Sequence, residues 1–160
     1  MKILVDADSC PRDARELTLR AVTRRGIQAV FAANRPIPGI AGERITMEVC
    51  PLGDNAADNR LVELAVPGDL AVSRDLALAK RLLEKDVTVI DDRGRVFTRD
   101  NINELLSLRD FVVGLAENGL GVERTASYGK KDLKKFADSL DRQLTRLASL
   151  TAQGTKTGFV

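Results

Sequence analysis

The segment that decides the fold is KILVDADSCPRDARELTLRAVTRRG, residues 2–26. It opens with a short apolar run that ends in acids, which is typical of a buried parallel strand. Pro11 suits the first position of a helix, apolar residues then recur at helical spacing, and Gly26 ends that helix. A strand that leads directly into an amphipathic helix is the first half of a βαβ unit. The segment therefore predicts an α/β fold.

Outward from this segment, the same alternation continues along the chain. The predicted strands are 2–5, 28–33, 45–49, 70–72, 87–90 and 95–98. The predicted helices are 11–26, 54–65, 75–84 and 100–119. This pattern predicts a three-layer α/β sandwich around a mainly parallel sheet. We expect one domain over residues 1–150, which includes a C-terminal basic helix over about 127–150, and a flexible tail over 151–160.

Composition limits the chemistry that the chain can perform. Its 160 residues include no histidine, no tryptophan and two cysteines, Cys10 and Cys50. This excludes Ser-His-Asp triads, Cys-His pairs, histidine metal sites and four-cysteine zinc sites. Without a histidine base, Cys10 is expected to pack beneath its loop rather than to act as a nucleophile. No segment reaches the ~18 apolar residues of a membrane span, and no signal peptide is recognised, so a cytoplasmic location without membrane contact is expected.

Acidic residues follow four of the predicted strands. In an open α/β sheet, ligands bind where the carboxyl ends of the strands meet. The acids at these positions are Asp6, Asp8, Asp54, Asp58, Asp75, Asp91 and Asp92. Any one of them could instead cap a helix or belong to a turn. Together they predict an all-oxygen site for Mg²⁺ or Mn²⁺, the kind of site that hydrolyses phosphate esters with metal-activated water.

Basic residues suggest where a phosphorylated substrate would bind. The overall charge is only +2, but residues 120–160 contain eight basic and four acidic residues. Lysines in the C-terminal helix are either a solvated face of a packed helix or an arm that contacts phosphates. The candidate substrate-binding residues are Ser9, Asn34, Ser73, Arg74, Lys130, Lys131, Lys134 and Lys135.

The motif VDADSCP, residues 5–11, resembles the opening VDADACP of the YaiI/YqxD family of small bacterial proteins, with Ser9 in place of the usual alanine. Further matches, up to about Leu147, include DNAAD at 54–58, PGDL at 67–70 and SRDLALA at 73–79. The family is similar to the PIN and NYN metal-dependent ribonucleases, whose sheet has the strand order 3-2-1-4-5. This resemblance implies an RNA nuclease with a PIN-like fold. It assigns catalytic roles to Asp6, Asp58 and Asp75, and helper roles to Asp8, Asp54, Asp91 and Asp92. The expected metal ligands are Asp6, Asp8, Asp54, Asp58, Asp75 and Asp91.

Two other functions stay open at this point. Asp6, Asp8, Ser73, Lys80 and the pair Asp91-Asp92 follow the order of haloacid-dehalogenase phosphatases, in which the first acid would attack phosphorus. That scheme leaves Asp58 and Asp75 without a role, and Cys-Pro stands where such enzymes have a glycine-containing turn. The other alternative is a binding or regulatory protein without catalysis. The six aromatic residues favour it because they offer few platforms for base stacking.

Overall fold

A computed structural model describes residues 1–53, 55–120 and 127–157 of the chain, and it has the predicted α/β architecture. The strands are β1 (Lys2–Asp6), β2 (Gln28–Ala33), β3 (Ile45–Val49), β4 (Leu70–Val72), β5 (Thr88–Ile90) and β6 (Val96–Phe97). They form one sheet in the order β3-β2-β1-β4-β5-β6. All neighbours are parallel except β5 and β6, which form an antiparallel pair at the edge. The expected 3-2-1-4-5 order is confirmed, with the short β6 added beside β5.

Helices cover both faces of the sheet. They are α1 (Arg12–Arg25), α2 (Ala56–Leu64), α3 (Leu76–Leu83), α4 (Arg99–Glu117) and α5 (Lys130–Thr157). The central strand β1 is buried on both sides, so its alternating side chains enter two separate cores. Ile3 and Val5 join the core under α1 and α5, whereas Leu4 joins the core under α2, α3 and α4. This double burial explains why residues 3–5 of β1 form an uninterrupted apolar run.

The long helix α5 is attached to the sheet by one apolar stripe. Phe136, Leu140, Leu144 and Leu147 are buried in the core that α5 shares with α1. The helix begins at Lys130 and runs to Thr157, so the flexible tail expected from residue 151 is helical as far as residue 157. No proline interrupts this segment, and Thr151 donates its hydroxyl to the Leu147 carbonyl oxygen, as the helical repeat allows.

The starts of α1, α2, α3 and α4 differ from the expected ones by one or two residues. Thr98 caps α4 by accepting a hydrogen bond from the Asn101 backbone, while the Asn101 side chain accepts one from the Thr98 backbone. This reciprocal capping box moves the start ahead of Asp100. Pro11 is the residue before α1 rather than its first residue. Asn55, in a left-handed conformation at φ 64°, precedes α2.

No helix in the described ranges combines the length and the apolar composition needed to cross a lipid bilayer.

Candidate carboxylate pocket at the sheet edge

Four of the candidate acids line one pocket at the carboxyl edge of the sheet. Asp6 ends β1 and Asp8 follows two residues later. Asp58 lies in the first turn of α2, and Asp75 is the residue before α3. The pocket has a volume of about 220 Å³ and is lined by Asp6, Asp8, Asn34, Gly53, Asn55, Ala56, Ala57, Asp58 and Asp75. We call it the carboxylate pocket.

Asp6 is buried and held by two serine hydroxyls. Its Oδ2 accepts hydrogen bonds from Ser9 Oγ at 2.8 Å and from Ser73 Oγ at 3.0 Å. The parallel register pairs Val5 with Val72, so the ends of β1 and β4 bring Asp6 beside Ser73. Burial raises the pKa of Asp6, and the two hydroxyl donors partly oppose that rise. The negative charges of Asp75 and Asp8 raise it further.

Asp58 has a pKa that is raised toward neutral pH. Burial raises its pKa to about 6, and repulsion from Asp6 and Asp75 acts in the same direction, whereas Arg81 opposes it. A carboxyl group with a pKa near the working pH is suited to accept and return protons. Asp58 is therefore the strongest candidate for a general base in the pocket.

Asp8 and Asp75 are oriented by backbone amides. The Asn34 backbone N–H donates to Asp8 Oδ2 at 2.7 Å, which connects the loop after β2 to the acids after β1. Asp75 Oδ1 accepts from the Leu78 backbone N–H at 3.1 Å and so caps α3. Its own backbone N–H donates to Ser73 Oγ at 3.0 Å. Asp75 is thus both a helix cap and a pocket residue, and the two interpretations from sequence are compatible.

The structure does not bring Asp91 to this pocket. Asp91 Oδ1 accepts from the Arg93 and Arg95 backbone amides, both at 2.9 Å, and closes the turn between β5 and β6. Its side chain lines a different pocket together with Lys135. Asp92 is also engaged elsewhere, because it forms an ion pair with Arg74. Asp54, the remaining predicted ligand, lies outside the described residues.

The predicted basic contacts also lie away from the acids. The Arg74 guanidinium is paired with the buried Asp92 carboxylate, so it is not free to hold a phosphate in this arrangement. Lys130, Lys131, Lys134 and Lys135 are exposed on α5, and none of them lines the carboxylate pocket. The start of α5 instead lies beside the β5–β6 turn, where Tyr128 donates its hydroxyl to the Asp92 carbonyl oxygen at 2.6 Å.

The donor atoms suit a hard cation, although they do not form a complete ligand set. The charged side chains in the pocket offer carboxylate oxygens, which Mg²⁺ and Mn²⁺ prefer. Within residues 1–53, 55–120 and 127–157, however, no three histidine, cysteine, aspartate or glutamate side chains are grouped as a metal site. Asp6 is bonded to two serines and Asp75 to α3, so these carboxylates already have protein partners.

The groups that a phosphatase of the haloacid-dehalogenase type needs are not gathered around Asp6. Lys80 is exposed on α3 and does not line the pocket. Asp91 and Asp92 are engaged in the β5–β6 turn and with Arg74. Ser73 does reach Asp6, but it does so as a hydrogen-bond donor to the carboxylate. Of the groups in that scheme, the structure thus brings Asp8 and Ser73 to Asp6.

Several residues near the acids were not anticipated from sequence. Asn55 lines the pocket in its left-handed conformation, a conformation that asparagine tolerates better than most residues. Arg15 and Arg35 line an adjoining pocket. The position of Arg35 directly after Asn34 was the available signal. Cys10 is buried, and burial raises the pKa of its thiol to about 12, in agreement with its expected packing role.

Comparison with known proteins identifies relatives along nearly the whole chain. Residues 4–146 match the model of a family described as "Uncharacterized BCR, YaiI/YqxD family". A UPF0178 protein of Treponema denticola is 49% identical over 146 residues, which cover 91% of this chain and 93% of the relative. A UPF0178 protein of Treponema pallidum is 44% identical over 159 residues, covering 99% and 90%. One of Myxococcus xanthus is 42% identical over 147 residues, covering 92% and 96%. No solved structure matches the chain.

Proposed function

We propose that this chain, which belongs to the YaiI/YqxD family, hydrolyses phosphodiester bonds of RNA in the carboxylate pocket with Mg²⁺ or Mn²⁺ as its cofactor. One observation carries the proposal. Asp6, Asp8, Asp58 and Asp75 line a single pocket at the carboxyl edge of the sheet. As a consequence, the charges of Asp6 and Asp75 add to burial in raising the pKa of Asp58 to about 6. Such a concentration of negative charge is costly unless a cation or protons offset it.

Each acid has a role that follows from its surroundings. Asp58 is mostly ionised at neutral pH and accepts the proton of the attacking water. Asp6 is fixed by Ser9 and Ser73, so its carboxylate has a defined orientation toward the pocket. A bound divalent cation would lower the pKa of that water and stabilise charge on the phosphate. Asp8 and Asp75 add oxygen donors from the loop after β1 and from the start of α3.

The composition predicts that RNA recognition by this chain has little sequence preference. The chain contains five phenylalanines, one tyrosine and no tryptophan, so few side chains can stack on bases. Recognition would then depend on the phosphate backbone, which every sequence shares. The absence of histidine also favours a mechanism in which carboxylates carry out the proton transfers.

The test is cleavage of a fluorescent single-stranded RNA with Mg²⁺ or Mn²⁺, repeated after removal of the cation with a chelator. We expect cation-dependent cleavage that is lost in Asp6→Asn and Asp58→Asn. The matched control is Asp91→Asn, because an asparagine oxygen can still accept from the Arg93 and Arg95 amides while the charge is removed. This variant should cleave like the unmodified chain.

Other outcomes would support the alternatives. Hydrolysis of an aryl phosphate with a trapped phosphorylated Asp6, and no RNA cleavage, would favour a phosphatase. Absence of activity on both substrates would favour a binding or regulatory protein. Cleavage that persists in Asp58→Asn would contradict the role of Asp58 as base, and equal loss in Asp91→Asn would contradict the pocket as the site.

A further inference from the structure

We propose that Arg15 and Arg35 form a phosphate subsite beside the carboxylate pocket, where they hold a second phosphate of the substrate strand. The two arginines line a pocket of about 320 Å³ together with Ala7, Asp8, Pro36, Ile37 and Pro38. Asp8 lines both this pocket and the carboxylate pocket, so the two cavities adjoin at this residue. The inference rests on the proposed function, because it takes the substrate to be a nucleic acid strand.

Arg35 is the residue that is free to bind an anion. It is exposed, and within the described part of the chain its side chain forms neither a hydrogen bond nor an ion pair. It follows Asn34, whose backbone N–H is bonded to Asp8 at 2.7 Å, so the loop that carries Arg35 is attached to the pocket. A guanidinium group without a protein acceptor is well suited to pair with phosphate oxygens.

Arg15 provides a second, more rigid cation. It is half-buried in the first turns of α1, and its guanidinium donates to the Cys10 carbonyl oxygen at 2.6 Å. One hydrogen bond uses one of the five N–H donors of an arginine, so further donors remain for a ligand. Pro36 and Pro38 also line the pocket, and their fixed φ angles restrict the loop. Arg15 and the backbone of the loop are thus held in place before a ligand arrives.

The charges of the two cavities explain why a strand would need this subsite. Four carboxylates repel any phosphate that approaches the carboxylate pocket. Adjacent arginines attract a neighbouring phosphate of the same strand and so hold the scissile one near the acids. A substrate with a single phosphate cannot occupy both cavities. The arrangement therefore favours substrates that carry at least one phosphate beyond the bond that is cleaved.

The first experiment compares a dinucleotide that has one phosphodiester bond with the same dinucleotide carrying an additional phosphate at its 5′ or its 3′ end. In the unmodified chain, one terminal phosphate should lower KM about tenfold, equivalent to one hydrogen bond to a charged group. Arg35→Ala should lose this advantage in KM, and Arg35→Lys should keep part of it. Arg44→Ala is the matched control, because Arg44 is exposed and lies just before β3. It is therefore at the amino ends of the parallel strands, whereas the carboxylate pocket is at their carboxyl ends.

A second measurement does not require cleavage. Binding of a short single-stranded RNA is followed by fluorescence anisotropy over a series of salt concentrations. Arg35→Ala should weaken binding about tenfold and reduce the slope of log affinity against log salt by about 0.7, the value for one phosphate contact on a single strand. Arg44→Ala should leave both quantities unchanged. Because Arg35 is exposed and unbonded, these variants should melt at the same temperature as the unmodified chain.

The two measurements separate the subsite from the proposed function. If no RNA is cleaved but Arg35→Ala still weakens RNA binding, the subsite stands and the nuclease proposal fails. If RNA is cleaved and Arg35→Ala changes neither KM nor RNA affinity, the subsite is wrong and the nuclease proposal stands. An affinity for RNA that Arg35→Glu leaves unchanged would also overturn the subsite.

Discussion

Asp58 connects the chemistry of the pocket to the stability of the fold. Its pKa is about 6 in the folded chain, against 3.8 for an ordinary aspartate. Between these two values the folded state binds more protons than the unfolded state, so stability rises as the pH falls from about 6 toward 4. Above pH 6 the ionised group makes an unfavourable contribution. This pH dependence of stability is opposite in sign to that of a carboxylate in a salt bridge, which stabilises the fold less as the pH falls.

The Asp58→Asn variant should therefore be more stable than the unmodified chain at pH 7, by about 1 kcal/mol once partial solvent screening is allowed for. At pH 5 the difference should shrink, because Asp58 in the unmodified chain is then largely protonated. Urea denaturation at the two pH values measures both quantities. Asp138→Asn, on the exposed face of α5, serves as the control and should show no such change. A variant that is less stable at pH 7 would mean that Asp58 accepts a structural hydrogen bond.

At the scale of elements, the β5–β6 turn and α5 are packed at backbone distance. Gly94 lies in the turn at φ +85°, and a Cβ atom placed there would be 2.5 Å from the Lys135 carbonyl oxygen. Gly94→Ala should therefore combine an unfavourable backbone conformation with displacement of α5, and we expect a loss of about 2–4 kcal/mol. Urea denaturation provides the measurement.

Gly114→Ala is the matched control for this prediction. Gly114 is in α4, has no positive φ, and has open space where a Cβ would be. In a helix interior, alanine in place of glycine should stabilise the chain by about 0.5–1 kcal/mol. If both variants lose a comparable free energy of unfolding, the contact between the turn and α5 does not explain the loss in Gly94→Ala.

The attachment of α5 depends on its first five turns. Leu144 is fully buried between α1 and the sheet, whereas Leu150, on the same helix, is 52% exposed. Leu144→Ala should cost about 3 kcal/mol because it leaves a cavity in a packed core. Leu150→Ala should change the free energy of unfolding by less than about 0.5 kcal/mol. A large effect at Leu150 in chemical denaturation would indicate that the end of α5 contacts a second molecule.

At the scale of the whole molecule, the site is assembled from three separate parts of the chain around β1. The loop after β1, the start of α2 and the start of α3 each contribute acids, and their mutual repulsion opposes folding. A cation that binds there should stabilise the entire domain, because ligand binding to the folded state shifts the unfolding equilibrium. At one hundred times its dissociation constant this amounts to about 2.7 kcal/mol.

Melting curves with and without Mn²⁺ test this effect. The unmodified chain should melt at a higher temperature with Mn²⁺. Asp6→Asn should melt above the unmodified chain in a chelator, because a buried charge is removed, and should show no rise with Mn²⁺. If Asp6→Asn melts lower in the chelator, the hydrogen bonds from Ser9 and Ser73 outweigh the relieved repulsion. If Mn²⁺ has no effect on the unmodified chain, the metal part of the proposal is wrong.

Local patterns in the sequence were sufficient for most of the architecture. Apolar runs and helical spacing located the strands and helices, and the family resemblance supplied the strand order. The convergence of Asp6, Asp58 and Asp75 was also predictable, because each lies just beyond a strand or at the start of a helix in a parallel array. The positions of the strands and helices depend on short-range periodicity. The convergence of the acids depends on the rule that the carboxyl ends of parallel strands meet at one edge of the sheet.

The tertiary structure decided which of the candidates share a pocket. Asp91 also follows a strand, but backbone amides of the β5–β6 turn bind its carboxylate. The start of α5 lies beside that turn, so its lysines do not line the carboxylate pocket, and Arg74 is paired with Asp92. Arg35, which no motif singled out, lines the cavity that adjoins the acids. Each of these charged side chains has several possible partners, many of them distant in sequence. Which of them it meets depends on how the whole chain packs.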